Sequence, residues 1–194
     1  MDKGGVKMKN TLILLYHDID SLDYPTRKKD LATRETVVRF DEFESQIKYL
    51  VSEGYHILSV KQYLDQQKHG NDDGRDIVLT FDDGHISNYQ FALPLLWKYS
   101  LSATFFIIAD HIGKPDYMGE QEIHELLNYN MEIGSHGLTH SYLTELSDRK
   151  IQWEITESKH IIEACSGRVI EVFAYPGGHF NQKIVKYVKT AGYR

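Results

Sequence analysis

The stretch Val78–Gly84, with the sequence VLTFDDG, constrains the fold of this chain more than any other. An apolar, β-branched run leads directly into two adjacent carboxylates, Asp82 and Asp83, and a glycine. This pattern predicts a buried strand whose carboxyl end delivers two acids into a turn. The same tripeptide occurs at Asp72–Gly74, but it follows a glycine and an asparagine, so we interpret it as a solvated turn. The apolar strand in front of Asp82–Gly84 therefore distinguishes this tripeptide from the one at Asp72–Gly74.

Six apolar runs along the chain predict strands, and helical patterns separate them. The predicted strands are Leu12–Tyr16, Tyr55–Leu58, Ile77–Phe81, Ser102–Ala109, Met131–Gly134 and Val169–Tyr175. The predicted helices begin at or next to Asp41, Ser59, Asn88, Glu120, Ser147 and Asn181, and Asp20 to Arg34 is expected to be a polar loop. Alternation of strands and helices implies a parallel sheet with right-handed crossovers. Because a closed eight-stranded barrel usually takes about 250 residues, we expect an α/β barrel that lacks one or two strands.

Composition excludes several classes of protein. The chain has 28 acidic and 22 basic residues, and this balance argues against a nucleic-acid partner. One cysteine, Cys165, allows no intrachain disulfide. No segment approaches the roughly 18–20 apolar residues of a membrane span, and the run Thr11–Tyr16 is too short for the core of a signal peptide. We therefore expect no membrane span and a cytoplasmic location, and the oligomeric state stays open.

Three motifs stand at the ends of predicted strands: Asp82–Gly84, His136–His140 and Phe173–Gly178. Each motif alone is weak, because H-x-x-x-H commonly binds no metal and the other two are commonly turns. Together they offer two imidazoles and a carboxylate, which is the ligand set of a catalytic zinc site with a free fourth position. The neighbouring aspartate could then act as a base on a water whose pKa the metal lowers to about 7. This combination favours hydrolysis of an acyl group.

These motifs resemble those of the polysaccharide deacetylase family, the NodB-homology domain of carbohydrate esterase family 4. Thr80–Gly84 matches its T-F-D-D-G motif, and His136–His140 matches H-[S/T]-x-x-H, with Gly137 at the hydroxyl position. The stretches Leu14–His17, Ser102–Phe106 and Phe173–Gly177 resemble the branch that de-N-acetylates poly-β-1,6-N-acetylglucosamine. We therefore expect a single deacetylase domain over residues 11–194.

The resemblance implies a distorted, incomplete (β/α) barrel of the NodB type, similar to a TIM barrel. It implies N-deacetylation of an N-acetylglucosamine-type polysaccharide or oligosaccharide and a divalent metal, Zn²⁺ by preference, with Co²⁺ or Ni²⁺ as alternatives. The implied catalytic groups are the base Asp82 and the N–H of Gly177, which would donate to the oxyanion. The implied metal ligands are Asp83, His136 and His140. We expect His17, Tyr175 and Pro176 to line the substrate site, His85 and His179 to lie at its rim, and His111 to be structural or on the surface.

Three departures from the family pattern shape these expectations. Gly137 removes a hydroxyl that would brace the histidine segment, and Ala174 stands where many members have an arginine that pairs with the base. The later motifs, which provide an apolar wall for the acetyl group and a histidine acid, have no counterpart before Arg194. We therefore expect a C-terminally truncated domain without its last strands. The alternatives are a catalytically impaired carbohydrate-binding protein on the same scaffold, or a metal-dependent amidase that acts on a small substrate.

Overall fold

The computed structural model of the chain describes residues 11–20, 36–69 and 74–194. Its strands are β1 (Leu12–Tyr16), β2 (Asp18–Asp20), β3 (Val37–Arg39), β4 (His56–Leu58), β5 (Asp76–Phe81), β6 (Thr104–Ile107) and β7 (Glu132–Ser135). Its α-helices are α1 (Phe40–Ser52), α2 (Val60–His69), α3 (Leu93–Lys98), α4 (Glu120–Asn128), α5 (Asp148–Ser166) and α6 (Gln182–Thr190), and a π-helical turn, Asn88–Ala92, precedes α3. The predicted loop from Asp20 to Arg34 and the predicted turn at Asp72–Gly74 lie largely outside the described residues.

Five of these strands form one parallel sheet, with the fully buried β5 at its centre. Strand β1 pairs along β5 from Leu12 opposite Ile77 to Tyr16 opposite Phe81. On the other side, β4 pairs with the first half of β5 and β6 with its second half, and β7 pairs with β6. Within the described residues β1 has no second partner, so the sheet does not close into a complete barrel. The predicted strand–helix alternation is confirmed.

Two predictions about strands differ from the structure. The predicted strand Val169–Tyr175 makes a single bridge, between Phe173 and Ser135, because only two backbone hydrogen bonds join this segment to β7. The small parallel pair β2–β3 was not predicted, since each strand has only three residues, too few for an alternating pattern.

Helix ends follow the predictions at most positions. Ser59 Oγ accepts from the N–H of Gln62 at 3.3 Å while Gln62 Oε1 accepts from the N–H of Ser59 at 3.0 Å, a reciprocal capping box. Asn181 caps α6 through Ile184 N–H, at 3.0 Å. The expected helix start next to Asp41 is confirmed, but Asp41 is not the N-cap as its residue type suggested, because α1 begins at Phe40 and Arg39 is the N-cap. Asp41 instead lies in the first turn of α1, where a negative charge is favourable.

The core holds the two central strands in place through stacked aromatic rings. Phe81 of β5 and Phe105 of β6 are both buried and stack with ring centroids 4.6 Å apart. On β7, a Cβ at Gly134 would lie only 2.5 Å from the ring of Phe106 and 2.9 Å from Val172, so this position needs glycine. The strand ends that follow Phe81 and Gly134 are thus rigidly positioned. No helix among the described residues is long and apolar enough to cross a membrane.

Candidate active site

The three motifs meet at the carboxyl edge of the parallel sheet. Backbone hydrogen bonds extend the pairing past the strands: Asp82 N–H donates to Tyr16 at 2.9 Å, His136 N–H to Ile107 at 2.8 Å, and Ala174 N–H to Ser135 at 2.9 Å. Because all the strands run in one direction, residues that follow them lie at the same edge. The acids after β5 and the histidine after β7 are therefore brought together, although more than 50 residues separate them in the sequence.

Asp83, His136 and His140 converge on one point. Asp83 Oδ1 lies 3.6 Å from His136 Nε2 and 3.4 Å from His140 Nε2, and one ligand atom from each residue lies within 4.8 Å of the others. Asp83 Oδ1 is buried and has no hydrogen-bond partner among the described residues. Two imidazole nitrogens and an unpartnered carboxylate oxygen fit the donor set of a divalent ion that keeps a position open for water. These three residues can therefore hold a metal ion.

The backbone is strained at two of these three positions. Asp83 has a φ of +72° and His140 a φ of +64°, both in the left-handed region that few non-glycine residues adopt. Such conformations cost on the order of 1–3 kcal/mol each and persist where the surrounding structure imposes them. The strained backbone positions are thus those of residues whose side chains converge, which is typical of a functional site.

Charge states in the cluster suit metal binding. Although burial raises the pKa of Asp83, the nearby imidazole of His85 and the charges of His136 and His140 lower it to about 2. Burial lowers the pKa of His136 to about 4. His136 Nδ1 donates to the carbonyl of Ala174 at 3.0 Å, so its Nε2 carries the lone pair that faces Asp83. At neutral pH the cluster thus offers an ionised carboxylate and a neutral imidazole, the forms that bind metals.

Asp82 differs from its neighbour in environment. It is 8% exposed, its Oδ1 has no hydrogen-bond partner among the described residues, and its Oδ2 lies 3.7 Å from His136 Nε2. Burial, and secondly the charge of Asp83, raise the pKa of Asp82 to about 7. A carboxylate with such a pKa accepts a proton far more readily than an ordinary aspartate at the same pH. The two adjacent acids therefore differ in pKa: Asp83 is ionised at neutral pH, whereas Asp82 can take up and release a proton there.

The third motif forms a tight turn against the histidine segment. Pro176 is buried, and its Cγ lies 3.5 Å from where a Cβ of Gly137 would be. The turn is closed by Gly178 N–H donating to Tyr175 at 2.8 Å and by His179 N–H donating to Pro176 at 3.3 Å, without the N–H of Gly177. Gly177 itself has a left-handed φ of +62°.

A comparison with known families identifies the chain. A model of the family described as polysaccharide deacetylase matches residues 69–194, which include all three motifs. The chain belongs to the polysaccharide deacetylase family. The resemblance noted from the sequence is therefore confirmed.

Individual members of the deacetylase family show how far the likeness extends. YxkH of Bacillus subtilis (strain 168) is 31% identical over 188 residues, which are 94% of this chain and 62% of that protein. A poly-β-1,6-N-acetyl-D-glucosamine N-deacetylase of Staphylococcus aureus (strain MSSA476) is 30% identical over 165 residues, 78% of this chain and 57% of that protein. The chain thus spans less than two thirds of the length of these curated relatives.

Solved structures of deacetylases share the fold. The Streptococcus pyogenes deacetylase PplD, solved in complex with acetate, aligns over 94% of this chain and 80% of its own with a TM-score of 0.82 and 24% identity. The polysaccharide deacetylase BC0361 from Bacillus cereus aligns over 95% of this chain and 56% of its own, with a TM-score of 0.80 and 27% identity. The expected incomplete (β/α) barrel is confirmed by these likenesses and by the open sheet described above.

Glu154, on the buried face of α5, braces the histidine segment and was not predicted. Its Oε2 accepts from the N–H groups of Leu138 and Thr139, both at 2.9 Å, and its Oε1 accepts from the hydroxyl of Thr139 at 2.6 Å. The side chain is 3% exposed. Gly137 lacks the hydroxyl that was expected to brace the histidine segment. Glu154 braces this segment instead, through its three hydrogen bonds. The available clue was an acid between Ile151 and Ile155 on the apolar stripe of the helix.

Three further histidines surround the cluster. His17, which follows β1, has its pKa lowered by burial, and it lies within electrostatic range of Asp83, His85 and His140. His85 Nε2 lies 3.6 Å from Asp83 Oδ2, closer to the chemistry than the predicted rim position implies. The pKa of His111 is likewise lowered by burial, and His111 is within electrostatic range of Asp83 and His140, which the sequence did not indicate.

The rings of His85 and His111 both contact Tyr117, at centroid distances of 5.0 and 4.4 Å. The segment that carries His111 and Tyr117 is tied to the first motif, because Met118 N–H donates to Gly84 and Ile86 N–H donates to Asp116, both at 3.0 Å. This segment therefore lies beside the cluster of Asp83, His136 and His140. No periodicity in its sequence could have placed it there.

Proposed function

We propose that this protein is a metal-dependent hydrolase that removes N-acetyl groups from an N-acetylglucosamine-type polysaccharide. The observation that carries the proposal is the convergence of Asp83, His136 and His140 beside a buried second acid, Asp82. Family membership and the name of the Staphylococcus aureus relative support the choice of an acetylated amino sugar as substrate.

Asp83, His136 and His140 are the residues that would hold the metal. Zinc fits two imidazoles and a carboxylate best, and Co²⁺ or Ni²⁺ can occupy the same donor set. When bound, a divalent ion there would polarise the acetamide carbonyl and lower the pKa of a coordinated water. Ala174 would keep His136 in the correct tautomer through its carbonyl, and Glu154 would hold the segment that leads to His140.

Asp82 would act as the general base. It takes a proton from the attacking water as the water oxygen bonds to the acetamide carbonyl carbon. The bond from that carbon to nitrogen then breaks, the nitrogen takes up the proton that Asp82 had accepted from the water, and the products are a free amine and acetic acid, which ionises to acetate. Burial raises the pKa of Asp82, and its Oδ1 has no hydrogen-bond partner among the described residues, so no other donor there competes for this oxygen.

The N–H of Gly177 would stabilise the negative charge that develops on the carbonyl oxygen. The turn around Gly177 is closed by other N–H groups, and Pro176 packs beside the histidine segment, so the donor is held in a fixed position. Pre-positioned donors of this kind contribute about 2.7–4 kcal/mol to transition-state stabilisation. His17, Tyr175 and Pro176 are proposed to contact the sugar that carries the acetamide.

Acetate release tests the proposal. Purified protein loaded with Zn²⁺ should release acetate from β-1,6-linked N-acetylglucosamine oligomers, lose activity with a chelator, and regain it when Zn²⁺ is restored. Asp82→Asn should retain the metal and release no acetate. Binding of the oligomer without any turnover by the loaded protein would instead support the carbohydrate-binding alternative. Turnover restricted to small acetylated amines would support the amidase alternative.

A further inference from the structure

A surface cavity of about 280 Å³ lies at the end of the sheet opposite to the deacetylase site. It is formed where helices α3 and α4 end, just before strands β6 and β7 begin, whereas the metal cluster follows the carboxyl ends of β5 and β7. Six residues line the cavity: Trp97, Ser100, Leu101, Asn128, Tyr129 and Asn130. None of them takes part in the chemistry proposed above. We call this the amino-edge cavity, because it lies at the amino ends of the strands.

Two aromatic rings form the apolar part of the amino-edge cavity. Trp97 is 63% exposed and Tyr129 is 41% exposed, and their ring centroids lie 5.5 Å apart with planes inclined by 64°. The two rings therefore form a corner rather than a stack, and much of each ring stays open to solvent. Because burial of large apolar side chains is favourable, a tryptophan held open to solvent at a cavity indicates a surface that binds a ligand.

The turns that end α3 and α4 hold the two rings in place. Ser100 N–H donates to the carbonyl of Trp97 at 2.9 Å, and Asn130 N–H donates to the carbonyl of Leu127 at 3.1 Å. Ser100 and Asn130 have left-handed φ values of +54° and +63°, as is usual for residues that close a helix in this way. Trp97 and Tyr129 thus emerge from two fixed helix ends, and a preformed site binds its ligand at a lower entropic cost.

The polar part of the cavity carries hydrogen-bonding groups without charge. The side-chain amides of Asn128 and Asn130 and the hydroxyl of Ser100 make no hydrogen bond to another described residue, so they can bind a ligand. No charged side chain among the described residues lines the cavity, and Lys98 instead lies over the ring of Tyr99, 5.5 Å from its centroid. Because amides and hydroxyls both donate and accept, the cavity suits a neutral ligand that carries hydroxyl or amide groups.

We propose that the amino-edge cavity binds one neutral sugar residue, an N-acetylated hexosamine of the polymer whose acetyl groups the deacetylase site removes. A pyranose ring has a face of C–H groups, which would pack on Trp97, and hydroxyl and acetamide edges, which the amides of Asn128 and Asn130 would bind. The cavity is slightly smaller than the roughly 300–1,000 Å³ of sites for drug-sized ligands, so it takes a single ring. The identity of the sugar rests on the proposed function.

A sugar-binding site at this distance would increase the affinity for polymers without a new contact at the metal cluster. The four residues of β7 lie between the cavity and His136, and at about 3.3 Å per residue they span roughly 13 Å, so one sugar cannot occupy both sites. A polymer held at the cavity has a raised effective concentration at the metal cluster. The KM for long polymers should therefore depend on the cavity, whereas the KM for a disaccharide should not.

The fluorescence of Trp97 tests binding at the cavity separately from catalysis. The chain has two tryptophans, so Trp97 is the only one left in a Trp153→Phe protein. With Asp82→Asn added to prevent turnover, titration with a β-1,6-linked N-acetylglucosamine trimer should change the emission of Trp97 until it saturates. Asn130→Gly should weaken this binding roughly three- to tenfold, because glycine keeps the left-handed turn and removes only the amide.

Trp153 provides a matched control for turnover by the Zn²⁺-loaded protein. It is 52% exposed and lies on α5, but it does not line the amino-edge cavity. Trp97→Ala should raise the KM for a long β-1,6-linked polymer roughly five- to tenfold, leave kcat unchanged, and change neither constant for the disaccharide. Trp97→Phe keeps an aromatic ring and should have a smaller effect, and Trp153→Ala should have none.

The proposal is overturned if the trimer leaves the emission of Trp97 unchanged. It is also overturned if Trp97→Ala and Trp153→Ala have the same effect on the KM for the polymer. Failure of the proposed function would look different, because a metal-loaded wild-type protein would then release no acetate from any oligomer. A saturable change in Trp97 emission in such a protein would uphold the sugar-binding cavity and refute the deacetylase function.

Discussion

Removal of the Glu154 side chain is expected to weaken metal binding, although Glu154 does not belong to the metal cluster. The carboxylate accepts three hydrogen bonds from Leu138 and Thr139, which lie between the two histidines of the site. In Glu154→Ala, the N–H of Leu138 stays buried without an acceptor, while that of the more exposed Thr139 can turn to water. An unsatisfied buried group costs about 1–3 kcal/mol.

The expected loss of stability is therefore roughly 2–4 kcal/mol once the weaker contribution of Thr139 is included. The segment would also lose the constraint that holds His140 in its left-handed conformation, at φ +64°. Groups that orient metal ligands typically change metal affinity by about 10–100-fold when they are removed. We expect a weakening of Zn²⁺ binding within that range. Glu154→Gln should have a smaller effect, because its one oxygen can still accept from both N–H groups.

Competition titration of Zn²⁺ against a chromogenic chelator would measure the affinity, and denaturant unfolding of the metal-free protein would measure the stability. Glu157→Ala is the matched control, because Glu157 lies on the same helix and its one ion pair with a described residue is long, 3.9 Å to His160. The reasoning is refuted if Glu154→Ala binds Zn²⁺ as tightly as the wild-type protein does.

Four other predictions concern the cluster and the turn. Asp82→Asn should keep its metal, measured by elemental analysis, and lose about 10²–10⁴-fold in acetate release; His140→Ala should be purified without metal. In the metal-free protein the pKa of Asp82, raised to about 7, means that the folded state holds this proton more tightly than the unfolded state does. Its contribution, up to about 4 kcal/mol, is therefore present at acid pH and is lost as pH rises from about 4 to 7. Because the lowered pKa of His136 acts in the opposite direction over this range, the measurement is the difference between the unfolding curves of the chelator-treated wild-type and Asp82→Asn proteins. Gly177→Ala should lower thermal stability and activity more than Gly178→Ala does, because both have a left-handed φ but only the first would bring a Cβ within 2.5 Å of the Tyr142 ring. Equal melting temperatures for the two glycine variants would contradict this steric argument.

The sequence was sufficient to predict the sheet and the convergence of its strand ends. The apolar run before Asp82 predicted a buried strand, and β5 is indeed buried along its whole length at the centre of the sheet. Parallel strands then required Asp83 and His136 to lie at one edge, whatever the loops between them do. The proposed metal ligands were identifiable because few residue types bind divalent ions, and their spacing in the sequence limits the choices further.

Residues that hold the site in place were much harder to find. Glu154 looks like one more acid on a long charged helix, and its burial becomes apparent only when α5 is packed against the histidine segment. Tyr117 and His111 reach the site through backbone hydrogen bonds of an irregular segment, which leave no periodic pattern in the side chains. Supporting contacts of this kind can be made by many residue types, so the sequence alone does not mark them.

The contact between Tyr142 and Gly177 shows that a glycine in a turn can carry more information than the turn itself. Considered alone, a glycine after the proline of the third motif only predicts a turn. In the structure Tyr142, from a different segment, occupies the space above Gly177 that any side chain there would need. The turn and the ring therefore constrain each other, and a substitution at one should be partly compensated at the other. If Tyr142→Ala relieves the loss of stability caused by Gly177→Ala, in a double-mutant cycle, the contact between the two is the cause; if the two losses simply add, the ring has no role in selecting glycine.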